Sequence, residues 1–208
     1  MFQIKSCREN LSHQDICFIV NAVSKKEKDK EKVLELFVDP ACRNIMLDSA
    51  DLFKSIVDEE FPLLYVSVRL YFYVIIRNLL KDYGIDDRDV ADYVSELLCR
   101  YSLKKIEATY VFEMIEKEIN AKSDLERFML LLEKADSLLV LTGIFPEFVE
   151  YRKRRKGAPG IEFYEEIGAN TYLDLSNHTL AFKNDLSGKF NTLGSDFHRI
   201  RSSLNCVM

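Results

Sequence analysis

From Leu63 to Tyr83 the chain is apolar on nearly every helical side, with Pro62 at its start and Gly84 just past its end. Such a segment either crosses a bilayer or lies inside a bundle of other helices. Arg69 and Arg77 fall within it, and a guanidinium in hydrocarbon is costly, so a buried central helix near 62–83 is the expected state and a membrane span is not.

The rest of the chain supplies helices to surround it. Ser12-His13-Gln14-Asp15 has the form of a capping box, followed by an apolar face of Ile16, Ile19, Val20 and Val23. Val33 to Phe37 continues as a short helix that Asp39-Pro40 stops, with Pro40 able to open the next. Val90, Tyr93, Val94, Leu97, Leu98 and Tyr101 form one helical face, and Ile106, Tyr110, Met114, Ile115 and Ile119 another. Ser123-Asp124-Leu125-Glu126 reads as a second capping box, ahead of a helix that ends near Gly143, and Pro146 and Pro159 open two more. Only 7 Gly and 4 Pro occur in 208 residues, too little turn punctuation for a β protein of this length. The expected fold is all-α: one domain over 1–208, a bundle of about eight or nine helices around the segment near 62–83.

The net charge of −5 sets a general repulsion toward nucleic acid and anionic membranes, which only a local basic patch overrides. The residues from Met1 to Asn10 lack the apolar core of a secretory signal, and five Cys in no paired spacing read as reduced thiols, so a cytoplasmic location is expected. Cys17 and Cys99 sit in apolar helical patterns and read as small core residues.

Catalytic signatures are missing from the sequence. There is no Gly-rich phosphate loop, no nucleophile elbow and no His-Glu-x-x-His, and the three His are too scattered for a metal site. His178 lies four residues after Asp174 and His198 two after Asp196, spacings that suit a single hydrogen-bonded pair or a cap. Glu133 with Asp136, and Glu165 with Glu166, read as surface acids. No catalytic residue, metal or cofactor is expected.

Three features carry what functional signal there is. Tyr65, Arg69, Tyr73 and Arg77 recur every four residues, so two guanidinium groups and two phenols could hold a carboxylate or phosphate inside the bundle, or pair with acids of neighbouring helices. The run Arg152-Lys153-Arg154-Arg155-Lys156, followed by Gly157-Ala158-Pro159-Gly160 and a helix start, is either an anion cradle or the ordinary complement of a helix C-terminus. Arg152, Arg154, Arg155 and Lys156 are its candidate anion contacts. The third feature is the series Leu186, Phe190, Leu193, Phe197, Ile200 and Leu204, with steps of four and three on an expected final helix from about 179, which must be buried either in a partner interface or in the chain's own core.

Gly143-Ile144-Phe145-Pro146-Glu147, the basic run, then Phe163-Tyr164 with Gly168 and Tyr172, resembles a signature of uncharacterised bacterial all-helical proteins, which implies no particular activity. In physical terms it describes a tight helix-to-helix turn, a basic helix end and a Gly168 that allows close packing between two tyrosines. Three functions follow in order of expectation. The first is a non-enzymatic interaction protein that self-associates or docks a protein partner through its final helix, for which a large exposed apolar patch would speak. The second is a binding module for a phosphorylated ligand or nucleic acid at the basic run, and the third an enzyme with a deep pocket around Arg69 and Arg77.

Overall fold

In the computed structural model, which describes residues 6–102 and 111–207, every regular element among the described residues is helical. Among the described residues there are thirteen α-helices and two 3-10 turns, more than the expected eight or nine, because the expected final helix is three short ones and Ala50–Val57 forms a helix of its own. The chain divides into two units, one within Ile4–Leu103 and one within Lys104–Met208.

The first unit holds α1 (His13–Val23), α2 (Lys30–Phe37), α3 (Pro40–Leu47), α4 (Ala50–Val57), α5 (Val68–Asp82) and α6 (Arg88–Ser102), with 3-10 turns at Glu27–Asp29 and Pro62–Leu64. The capping box at Ser12 and Asp15 forms as its sequence predicts, and Pro40 takes the first turn of α3 behind the Asp39 cap. Asp15 does more than close its own helix. Its buried carboxylate takes the Ser12 N–H on Oδ2 and reaches across to the Ser67 N–H on Oδ1 at 2.7 Å.

That second contact corrects the expected helix over 62–83. Ser67 is the true N-cap, its hydroxyl accepting from the Leu70 N–H, so α5 begins at Val68 and the residues before it are a 3-10 turn and a loop. Within the unit, α5 packs on α4 and α6. The helix buried on all sides is α6, where every residue from Val90 to Cys99 is buried, including Asp92, Ser95 and Glu96. Periodicity gave α6 a polar face. That face is covered by the segment Ser6–Arg8, whose Ser6 hydroxyl and Arg8 N–H both donate to Asp92.

The second unit holds α7 (Val111–Ile119), α8 (Asp124–Ile144), α9 (Pro146–Lys156), α10 (Ile161–Ser176), α11 (Thr179–Lys183), α12 (Ser187–Ser195) and α13 (Phe197–Leu204). Ile106 and Tyr110, assigned from sequence to the helix that continues as α7, lie outside the described residues. The long helix α8 is the hub, touching α7, α9, α10 and α13. Ser123 caps it, but Glu126 returns to the Lys122 N–H rather than closing a full box on Ser123.

The single final helix expected from about 179 is three short ones. Asp185 at φ 56 breaks the chain between α11 and α12, and Asp196 separates α12 from α13. Leu186, Phe190, Leu193, Phe197, Ile200 and Leu204 are nonetheless all buried within the chain itself, with Phe190 stacked on Tyr172 at a centroid distance of 6.1 Å. Gly168 makes this possible. A Cβ there would stand 2.5 Å from Phe197 Cζ, so the close approach is to Phe197 and not between two tyrosines as its sequence context suggested. Among the described residues no helix is long and apolar enough to cross a membrane.

Candidate functional site

The loop between α4 and α5 forms an apolar surface of the first unit. Val57, Phe61, Leu63, Leu64, Tyr65 and Val68 are all exposed, from 36% at Val68 to 70% at Leu64. The C-terminal end of this loop is tied to α1 through its backbone. Gln14 Nε2 donates to the carbonyls of Leu64 and Tyr65 at 3.2 and 2.9 Å, and Asp15 holds Ser67 as described. Asp58, Glu59 and Glu60 stand exposed beside the apolar side chains.

Tyr65 therefore belongs to this loop, and the expected Tyr65, Arg69, Tyr73, Arg77 stripe does not form as one site. The arginines are taken by the chain's own acids. Arg77, 1% exposed, binds Asp48 through Nε at 2.9 Å and Nη2 at 3.1 Å and also contacts Asp86. Asp48 further receives Arg88 at 2.7 Å and Lys81 at 3.3 Å. Burial pushes the Asp48 carboxyl up, but the hydrogen bonds and charge of Arg77, with Arg88 and Lys81, outweigh it and hold it at about 2. Arg69 Nε lies 3.0 Å from Glu96 Oε2. Tyr73 is buried, its hydroxyl without a hydrogen-bond partner among the described residues, and burial pushes the phenol well above its usual range. Internal ion pairs take the place of an anion pocket, because Asp48, just past α3, and Glu96 of α6 reach the guanidinium groups.

In the second unit the basic run ends α9. Gly157, in the left-handed conformation at φ 61, closes the helix, and Gly160 caps α10 without a side-chain contact. Arg154, Arg155 and Lys156 are exposed, while Arg152 lies over the Phe148 ring at 5.8 Å. The tip of Lys153 and the carboxylate of Glu162 both approach Gly160, so the end of the run and the first turn of α10 share one side of that glycine. Exposed Phe148 and Tyr151 join Arg152 and Arg155 on one face of α9, an aromatic and basic stripe that the charge run obscured in the sequence.

The remaining candidates resolve into structure. His178 caps α11 and lies 3.3 Å from Asp124, and His198 lies 2.7 Å from Glu165, so neither uses the aspartate suggested by its spacing. Asp136 is a buried acceptor for the Tyr172 hydroxyl at 2.8 Å rather than a surface acid. An open groove of about 390 Å³ along α10 is lined by Glu165, Glu166, Phe197, His198 and Arg201, but Glu165 is already engaged by His198 and Arg201. Cys17 is exposed, 3.5 Å from His13, and not a core residue; Cys99 is buried as expected.

One grouping escaped sequence reasoning altogether. Cys7 Sγ lies 3.8 Å from Glu96 Oε2, and the donor atoms of Cys7, Glu96 and Cys99 all fall within 4.8 Å of one another with all three residues buried. A hydrogen bond with Cys99, followed by burial and the charges of Asp92 and Glu96, drives the Cys7 thiol far up, while the same hydrogen bond lowers Cys99. The only local trace in sequence is the three-residue step from Glu96 to Cys99, which carries no signal without Cys7. No protein-family model, curated protein or solved structure matches this chain.

Proposed function

We propose that this protein is a non-enzymatic interaction module that docks a partner protein through the apolar loop at 57–68. The observation that carries the reading is a set of six large exposed apolar side chains in a loop whose backbone Gln14 and Asp15 hydrogen-bond at Leu64, Tyr65 and Ser67. Fixing a loop before binding removes part of the entropy cost of association, and an exposed apolar cluster rimmed by charge is the usual form of a docking surface. The final-helix seam first expected to make the contact is already covered within the chain, so the surface moves while the class of function stays.

The acidic rim selects the occupant. Two copies meeting across a twofold axis at this loop would bring Asp58, Glu59 and Glu60 of each against the other, a like-charge contact that disfavours a symmetric dimer. A helix of another protein with an apolar face and basic flanks fits the charge. A photo-crosslinking residue at Leu64 is expected to give one discrete adduct in cells, and the same residue at exposed Phe182 none. Phe61→Ser with Leu64→Ser should remove the adduct of a crosslinker at Tyr65 while leaving the melting temperature within a degree or two. Equal adducts from Leu64 and Phe182, or a purified protein that dimerises through Leu64, would refute the reading.

A second reading is favoured by the stripe of Phe148, Tyr151, Arg152 and Arg155, whose exposed rings and cations suit the stacked bases and phosphates of a single-stranded nucleic acid.

A further inference from the structure

We infer that Cys7, Glu96 and Cys99 form a binding site for a divalent transition-metal ion of the zinc type, which clasps the segment before α1 onto α6. The donor chemistry is selective: two thiols and one carboxylate suit a borderline ion with tetrahedral preference, and not magnesium or calcium, which take oxygen ligands alone. The spacing is close to what such an ion needs. With metal–sulfur and metal–oxygen bonds of about 2.3 and 2.0 Å at tetrahedral angles, a sulfur and an oxygen ligand stand about 3.5 Å apart. Cys7 Sγ and Glu96 Oε2 are 3.8 Å apart, and all three donors lie within 4.8 Å, so small side-chain rotations close the set.

The surroundings favour a cation as well. Glu96 and Cys99 are three residues apart on one rigid helix, so two of the three ligands have a fixed separation. Arg69 donates to the Glu96 carboxylate at 3.0 Å, on the same Oε2 that faces Cys7, and so fixes where that oxygen stands. Charge also balances on binding. The ion adds two positive charges as each thiol gives up its proton to solvent, so M²⁺ with two thiolates and Glu96 carries one negative charge, which Arg69 cancels. Apart from the metal, three protein ligands leave a fourth position for a solvent molecule.

The test uses the full chain, reduced and stripped with a chelator, and cobalt(II) as the spectroscopic probe. One equivalent should produce thiolate-to-cobalt charge-transfer absorption and the intense visible bands of a tetrahedral site, and equimolar zinc should bleach both. Cys7→Ser and Cys99→Ser should lose the charge-transfer absorption, Glu96→Gln should weaken cobalt binding at least tenfold, and Cys17→Ser, which removes the exposed thiol beside His13, should change nothing. Should either ligand variant lose its helical circular dichroism, the parent decides the matter through proton release: about two protons per zinc at neutral pH support the site, and none overturns it. The proposal is also overturned by absent bands at equimolar cobalt, by full bands in both ligand variants, by loss confined to Cys17→Ser, or by a reduced protein that yields only a Cys7–Cys99 disulfide on air exposure and no cobalt spectrum.

Discussion

At the scale of single residues, Asp48 concentrates the electrostatics of the first unit. It receives Arg77, Arg88 and Lys81 from two helices, and removing its charge would leave Arg77 buried beside only the exposed Asp86. Its carboxyl sits lower in the folded chain, at about 2, than in an unfolded one near 3.9. A depressed carboxyl contributes stability that is complete above the unfolded value and is lost as pH falls toward the folded value. The parent should therefore lose about 1–2 kcal/mol between pH 4 and pH 2 through this group, allowing for solvent screening. Asp48→Asn should be destabilised by about 3 kcal/mol at pH 7 and show a flatter acid limb, which urea titrations across that pH range would measure. The sequence displayed both arginines but not their partners, because Asp48 and Glu96 lie 29 and 27 residues away from them and nothing local marks the pairing.

Helices and their ends were legible where the signal was local. Ser12 with Asp15, and Asp39 with Pro40, both read correctly, since a cap is decided by three or four adjacent residues. What failed was continuity. An apolar run from Leu63 onward looks helical throughout, yet the cap that delays α5 to Val68 depends on Asp15, 52 residues earlier. The final seam kept its spacing across the break at Asp196 because α12, with Leu186 at its start, and α13 each turn the same face inward to the shared core. That burial fixes the outcome of a substitution there. Phe190→Ala should leave the protein monomeric in light scattering and lower its stability by about 3–5 kcal/mol, as for other large aromatic side chains lost from a core. Gly188→Ala, at a helical position with open space around it, should be neutral or raise stability by up to about 1 kcal/mol in the same melting experiment. A dimer in the parent that Phe190→Ala dissolves would contradict the intrachain burial.

Across the whole molecule, a charge of −5 coexists with two surfaces of opposite character, the acid-rimmed apolar loop at 57–68 and the aromatic and basic face of α9. The average predicts repulsion of polyanions, and the α9 face opposes it. If that face engages single-stranded DNA, its two arginines limit the salt dependence: the logarithm of affinity should fall with the logarithm of salt at a slope of about −1.5, from roughly 0.7 per phosphate contacted. Phe148→Ser with Tyr151→Ser should weaken binding with that slope unchanged, since rings stack and do not release counterions; a steeper slope in fluorescence anisotropy would place the contact elsewhere. The cover that Ser6, Cys7 and Arg8 provide for α6 has a consequence in time. Their partners Asp92 and Glu96 lie 84 to 89 residues further along the chain. At ribosomal rates of about 5–20 residues per second, Cys7 is made some 4–18 s before the helix that buries it exists. During synthesis it is thus an accessible thiol, open to whatever reagents and ions surround a nascent chain, and the last turn of its history in the fold is to be closed away by the helix it waited for.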